Sequence, residues 1–347
     1  MAQGAQETIV YVSNAGAPDI QVMAMDRASG ALDLIERVAI PGADGPAPTS
    51  MPMALSPDRR FIHAALRSEP FTVASFAIDP ASGRLRHLSN APLDDSMAYT
   101  TVDRTGRWLL CASYPGGKLT INPIGAEGRV TAPPKQVIRD RPKAHCVAVD
   151  AANTSVYCPV LAQDVILQLD FDAASGTVQP KTPGEIATRP GAGPRHLAFH
   201  PSGRFLYLIT ETTATIGAYS VRDNGTLAEL QFVDMLAPGY KGGIAAADLH
   251  VTPDGQFLYG SERRTSSLAG FRIDQETGTL SPVGRWPTET TPRGFAIDPR
   301  GRFLLSVGLD SNRMTVYSIN PKDGALAPLQ QYAMGKMPNW IEFVDLK

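Results

Sequence analysis

Residues 191–210 read GAGPRHLAFHPSGRFLYLIT. The glycines suggest a phosphate loop, but an alternating apolar run, RHLAFH, follows them where such a loop needs a helix start. After it come a tight polar turn at Pro201–Gly203 and a second β-rich run, FLYLIT, so the segment is a hairpin. The hairpin recurs. SPDRRFIHAAL from Ser56, DRTGRWLLCAS from Asp103, DAANTSVYCPV from Asp150, TPDGQFLYGSE from Thr252 and DPRGRFLLSVG from Asp298 match HPSGRFLYLIT from His200. With the first residue of each taken as an anchor, successive anchors lie 47, 47, 50, 52 and 46 residues apart.

A second signal lies between these hairpins: SGAL at 29–32, then SGRL at 82–85, EGRV at 127–130, SGTV at 175–178, NGTL at 224–227, TGTL at 277–280 and DGAL at 323–326. Each reads as the turn of an outer hairpin. Two hairpins per period make a four-stranded sheet, the blade of a β-propeller. The outer turn occurs seven times and the inner hairpin six. The missing copy can be assembled from the termini, with NWIEFVD (339–345) as its first strand and TIVYVSN (8–14) as its second. The expectation is an all-β chain, a single seven-bladed propeller domain over 1–347, closed by both termini so that no strand edge stays open. Two stacked sandwiches would not explain the uniform period.

Bulk composition agrees. Among 347 residues, 31 glycines and 29 prolines leave little room for long helices. A net charge of −2 implies no nucleic-acid face. No apolar run is long enough for a membrane span, and the first fifteen residues lack the pattern of a signal peptide. Three cysteines form no disulfide framework, which points to the cytoplasm. A monomer or weak homo-oligomer is expected.

Repeat positions that serve packing are filled alike, whereas a site needs assorted chemistry. Two registers hold assorted polar residues. Four or five positions before the anchor stand Tyr99, His145, Arg195 with His196, Asp248 and Arg293; eleven after it stand Arg67, Tyr114, Glu211 and Arg263, with Leu161 and Leu309 in two further copies. Hairpin pairing brings both registers to one end of each hairpin, and so to one mouth of the central channel. Four arginines near one axis repel one another unless an anion lies among them, and guanidinium forks suit carboxylate and phosphate. Salt bridges between blades are the competing account.

GAGPRHLAFHPSGRFLY, DLHVTPDGQFLYGSER, TETTPRGFAIDPRGRFLL and KAHCVAVD resemble the lactonase-type seven-bladed propellers, over essentially the whole chain. The resemblance, strongest to the bacterial 6-phosphogluconolactonase branch, implies hydrolysis of a small anionic sugar lactone, 6-phosphogluconolactone foremost. It also implies site positions at His145, Arg195, Glu211 and Arg293. Fungal carboxy-muconate cyclases share the fold and much the same charged set, so lactonisation is the alternative. Where that bacterial branch carries a histidine, this chain has Tyr99, which allows another sugar-acid lactone.

Lactone hydrolysis needs a base for water, a donor for the oxyanion and an acid for the leaving ring oxygen. Glu211 or His145 could be the base, a carboxylate beside the histidine favouring its charged form. Arg293 and Arg195 could stabilise the oxyanion, while Arg67 and Arg263 could grip a remote anion. Tyr99, Tyr114, His196 and Asp248 complete the lining. His250, two residues from Asp248 and on the same strand face, either lines the site or is a core histidine. His63, His87 and His200 read as structural residues of outer strands or turns, and Cys111, Cys146 and Cys158 as unreactive. No cofactor is expected, and no metal: zinc spacing is lacking, and the arginines oppose a divalent ion on Glu211 and Asp248. GYKGG (239–243) reads as a flexible loop over the funnel. A protein-binding platform would leave the arginines unexplained and lacks the Gly-His and Trp-Asp signature.

Overall fold

The computed structural model describes residues 7–346; the beginning of the stretch read for a signal peptide, residues 1–6, lies outside them. Seven antiparallel four-stranded sheets follow the chain. We number the blades 1 (residues 53–92), 2 (97–138), 3 (148–187), 4 (194–234), 5 (246–287) and 6 (294–333). In blade 7, the C-terminal strand Pro338–Asp345 is innermost and pairs with Glu7–Asn14, which is followed by Asp19–Asp26 and Leu32–Ala39. The closing pairs include Val10↔Phe343 and Val12↔Ile341. The innermost strand of blade 7 packs against those of blades 6 and 1, which shuts the ring. Among the described residues no helix is long and apolar enough to cross a membrane.

The anchors explain why the hairpin recurs. The Asp103 carboxylate accepts the Arg107 and Trp108 amides, both at 2.9 Å; Asp150 does the same for Thr154 and Ser155, and Asp298 for Arg302 and Phe303. The side chain thereby closes its own turn. His200 departs from the pattern: its ring bonds Ser202 and the Gly255 carbonyl of the next blade. His63 is a correction to the reading of an outer strand. It is buried in the second strand of blade 1, Phe61–Leu66, against Ser75 Oγ at 3.1 Å.

The outer turns lock blade to blade. Their glycines, Gly30, Gly83, Gly128, Gly176, Gly225, Gly278 and Gly324, have φ of 70–76°. Six of them lie against the residue that opens the second strand of the preceding blade, as Gly128 does on Phe61, Gly176 on Trp108 and Gly278 on Phe205, and Gly83 lies on Ile9 of the strand Glu7–Asn14. Tyr11, Tyr157, Tyr207 and Tyr259 donate hydroxyl bonds to four of these glycine carbonyls. At Gly176 a Cβ would meet the Trp108 ring at 2.4 Å in addition to the unfavourable φ. Gly203 has φ +72° and nothing near it, so it isolates the backbone effect. Gly203→Ala is expected to cost about 1 kcal/mol and Gly176→Ala about 2–4 kcal/mol, read as the difference in denaturant midpoints at equal m. Equal losses would refute the interlock.

Candidate active site

The inner strands do not run regularly to the mouth. In blade 4 the ladder skips Arg195, with Pro194 facing Thr210 and His196 facing Ile209; similar shifts occur near Ala98, Ala247 and Asn339. In a regular strand Arg195 and His196 would point to opposite faces, but a bulge turns both towards the channel. In blade 3 the innermost strand is only Ala148–Val149. The His145 amide donates to the Pro159 carbonyl at 3.2 Å, but Pro159 has no N–H to return, so the ladder opens beside His145.

Glu211, just past the second strand of blade 4, takes Arg195 Nε at 3.2 Å on one oxygen and Arg263 Nη2 at 2.7 Å on the other. Burial would raise its carboxyl pKa, but the two guanidiniums outweigh burial and lower it. Arg195 Nη1 donates to the Ala247 carbonyl and to His196 Nε2, the latter at 3.1 Å. An arginine can only donate, so Nε2 accepts and the His196 proton sits on Nδ1, facing Asp248 Oδ1 at 2.9 Å. His196 therefore has no free lone pair; it positions Arg195. Burial, then Arg195, bring its pKa down to about 4 despite Asp248.

His145 meets Tyr114 edge-on at 5.5 Å and the His196 ring at 5.0 Å. Its Nδ1 is buried with no hydrogen-bond partner among the described residues. Burial first, then the charges of Arg195 and Arg293, hold its pKa well below the ordinary imidazole value, so the ring is neutral near pH 7. This corrects the expectation of a carboxylate-supported, charged histidine: the carboxylate beside a ring belongs to His196, and both rings are kept neutral.

The four arginines differ in what holds them. Arg263 commits Nη2 to Glu211 and Nε to the Ala245 carbonyl at 2.9 Å, so it braces Glu211 and has only Nη1 left for a ligand. Arg67 bonds only the hydroxyls of Ser96 and Ser50, at 3.2 and 3.0 Å. Arg293 makes no hydrogen bond or ion pair among the described residues. Burial and then Arg195, Arg263 and Arg67 lower its pKa, but a guanidinium does not deprotonate in a protein. The mouth therefore holds four guanidiniums against the carboxylates of Glu211 and Asp248; Arg67 and Arg293 have no carboxylate partner, and Arg293 alone of the four makes no hydrogen bond among the described residues.

Tyr99 packs edge-on against both His196 and Trp340, each at 5.1 Å. Asp248 gives its second oxygen to His250 Nε2 at 3.2 Å. His250 lies beyond Asp248, over the Phe295 ring, in a cavity of about 290 Å³ that runs from Tyr99, Asp248 and Trp340 to Glu342 and to Arg59, Pro253 and Pro299 of the inner turns. The cavity thus leads from Asp248 away from the arginines of the mouth. Trp340, Glu342, Ser50 and Ser96 went unnoticed in the sequence. Trp340 was findable, because aligning NWIEFVD with RHLAFHP puts it in the register of His196. The GYKGG loop lies on the connection into blade 5 and is exposed.

A seven-bladed ring with a cationic mouth is joined by a family match: residues 11–343 fit the family described as Lactonase, 7-bladed beta-propeller. The chain belongs to this lactonase family. Among the family's curated members, the 6-phosphogluconolactonase of Serratia proteamaculans is 37% identical over 337 residues, 97% of this chain and 98% of that one. That of Erwinia tasmaniensis is 35% identical over 333 residues, 96% and 97% of the two chains. Among solved structures, the periplasmic gluconolactonase of Pseudomonas aeruginosa aligns at a TM-score of 0.89 and 29% identity, covering 98% of this chain and 99% of that one.

Proposed function

We propose that this lactonase opens the ring ester of 6-phosphogluconolactone, with His145 as general base and Arg293 as oxyanion donor. The observation that carries the reading is the pairing of a neutral, unpartnered imidazole with an unpaired guanidinium in one cationic pit; the names of the 35–37% identical relatives support the substrate. Water attacks the ring carbonyl as His145 takes its proton. Negative charge develops on the carbonyl oxygen, where Arg293 and the Nη2 of Arg195 stabilise it. The C–O ring bond then breaks, and the leaving oxygen recovers the proton from His145. Glu211 is a poor base because both its oxygens already accept arginine hydrogens; its part is to hold Arg195 and Arg263.

The acid product ionises near neutrality, so proton release at constant pH reads the reaction. Rapid turnover of fresh 6-phosphogluconolactone with slow turnover of gluconolactone and carboxymuconolactone is the expected result. Preference for an unphosphorylated sugar lactone would instead assign the activity named for the Pseudomonas relative. The pH profile tests the base. A histidine with a lowered pKa stays neutral, and competent, below the ordinary imidazole range. With uncharged gluconolactone, which does not titrate, kcat/KM should therefore hold down to pH values below 6.5 before falling. With the phosphorylated lactone bound, its negative charge offsets the arginines and raises the His145 pKa, so kcat should fall at a higher pH than that.

The cysteines suit a reducing compartment: all three are free and buried, and burial pushes Cys111 and Cys146 up to about 12. We assign the cytoplasm on that ground, with fractionation of cells as its check.

A further inference from the structure

We propose that the rim groove between blades 2 and 3 is the subsite for the substrate's phosphate, held by Arg141 and Lys143. The inference rests on the lactonase reading of the mouth and adds which part of it reads the substituent remote from the ring. The groove encloses about 670 Å³ and is lined by Tyr114, Gly116, Gly117, Arg141, Lys143 and Gln163, with Asp140 at its edge. Tyr114 is shared: one side of it faces the groove, and its ring meets the His145 ring. Tyr114 thus stands between the His145 ring and this space.

The cations here are placed for an anion the protein does not supply. Lys143 Nζ lies over the Tyr114 ring at 5.8 Å and forms no ion pair among the described residues. Arg141 Nε is buried without a partner, and the guanidinium's one bond is a long 3.5 Å contact from Nη1 to the Asp140 carbonyl. The Asp140 carboxylate is exposed and pairs with neither. Nearby Lys118 shows what a neutralised cation looks like here: Asp94 and Asp95 close on its ammonium at 2.9 and 3.0 Å. Asp95, whose field reaches Arg67, is bonded to Lys118 rather than to Arg67, whose own bonds go to serine hydroxyls alone. On the far side of the mouth Glu211 ties up Arg195 and Arg263. Apart from Arg293 at blade 6, the cations of the mouth and its rim without carboxylate partners, Arg67, Arg141 and Lys143, thus lie along the arc of blades 1 to 3. A phosphate takes several N–H donors at once, and desolvated guanidinium is suited to it.

The test compares phosphorylated and unphosphorylated lactones in Lys143→Ala, Lys143→Glu, Lys143→Arg and Arg141→Ala. KM for 6-phosphogluconolactone should rise roughly tenfold in each alanine variant and further in Lys143→Glu, with kcat little changed. Lys143→Arg should restore it, and kcat/KM for gluconolactone should stay at the wild-type level in all four. Loss of both substrates to the same degree, or of neither, overturns the subsite. Calorimetric titration with 6-phosphogluconate and gluconate reads binding without turnover: selective weakening of the phosphorylated ligand in the alanine variants upholds the subsite, and equal affinities overturn it. Failure of the wild-type protein to turn over any phosphorylated lactone counts against the proposed substrate, and the titration still decides the groove.

Discussion

His145→Ala is expected to lower kcat for lactone hydrolysis by roughly 10²–10⁴-fold, the usual worth of a positioned general base, with KM changed only slightly. The expectation follows from elimination among the groups that share the mouth. His196 has both ring nitrogens engaged, one accepting from Arg195 and one facing Asp248. Glu211 has both oxygens engaged by guanidiniums. The His145 ring alone among these three makes no hydrogen bond among the described residues; its Nδ1 is buried, so Nε2 is the nitrogen to meet a water. His145→Gln keeps much of the volume and should be nearly as slow, because an amide cannot take the proton. Glu211→Gln separates the two candidates. It should weaken the hold on Arg195 and Arg263, and so raise KM and lower kcat moderately, but leave the acid limb of the pH profile in place. If Glu211→Gln erased that limb while His145→Ala kept it, the assignment of the base would be reversed.

Arg293→Met should cost a further large factor, roughly 10²–10³ in kcat, as for removal of one well-placed oxyanion donor. Methionine approximates the length of the side chain and removes only its charge and donors. The variant should fold at least as stably as the parent, since it relieves repulsion with Arg195, Arg263 and Arg67. A stability gain together with a loss of turnover is the signature of a group kept for function rather than for the fold. Arg293→Lys should recover part of the rate, because an ammonium restores the charge but not the planar fork. Thermal unfolding and steady-state kinetics on the same preparations check both halves. Unchanged turnover in Arg293→Met would mean that the oxyanion is held elsewhere, with Arg195 Nη2 the next group to test.

Much of this molecule is readable in one dimension because its repeat is a local property. An anchor side chain that accepts an amide of its own turn, as Asp103, Asp298, Ser56 and Thr252 do, closes that turn by a local bond, so such a residue returns at most of the inner turns. The same holds for the outer-turn glycines, whose positive φ is set by the turn itself. Fixed spacing within the hairpin then brings positions such as Arg195 and Glu211 to one end of it. Trp340 escaped that logic although it occupies the register of His196, because its strand ends the chain and carries no anchor to align on.

The sequence by itself determined the number of blades, the closure by both termini and the ring of positions from which a site could be built, since these depend on spacing along the backbone. Tertiary structure alone decided which side chains in that ring are already occupied: Arg263 bracing Glu211, Glu211 saturated, His250 on the far side of Asp248, His145 and Arg293 left open. The reason is that a hydrogen bond and a proton's affinity are set within a few ångströms of space, between residues such as His196 and Asp248 that lie on different blades, and the order of residues carries no record of those distances.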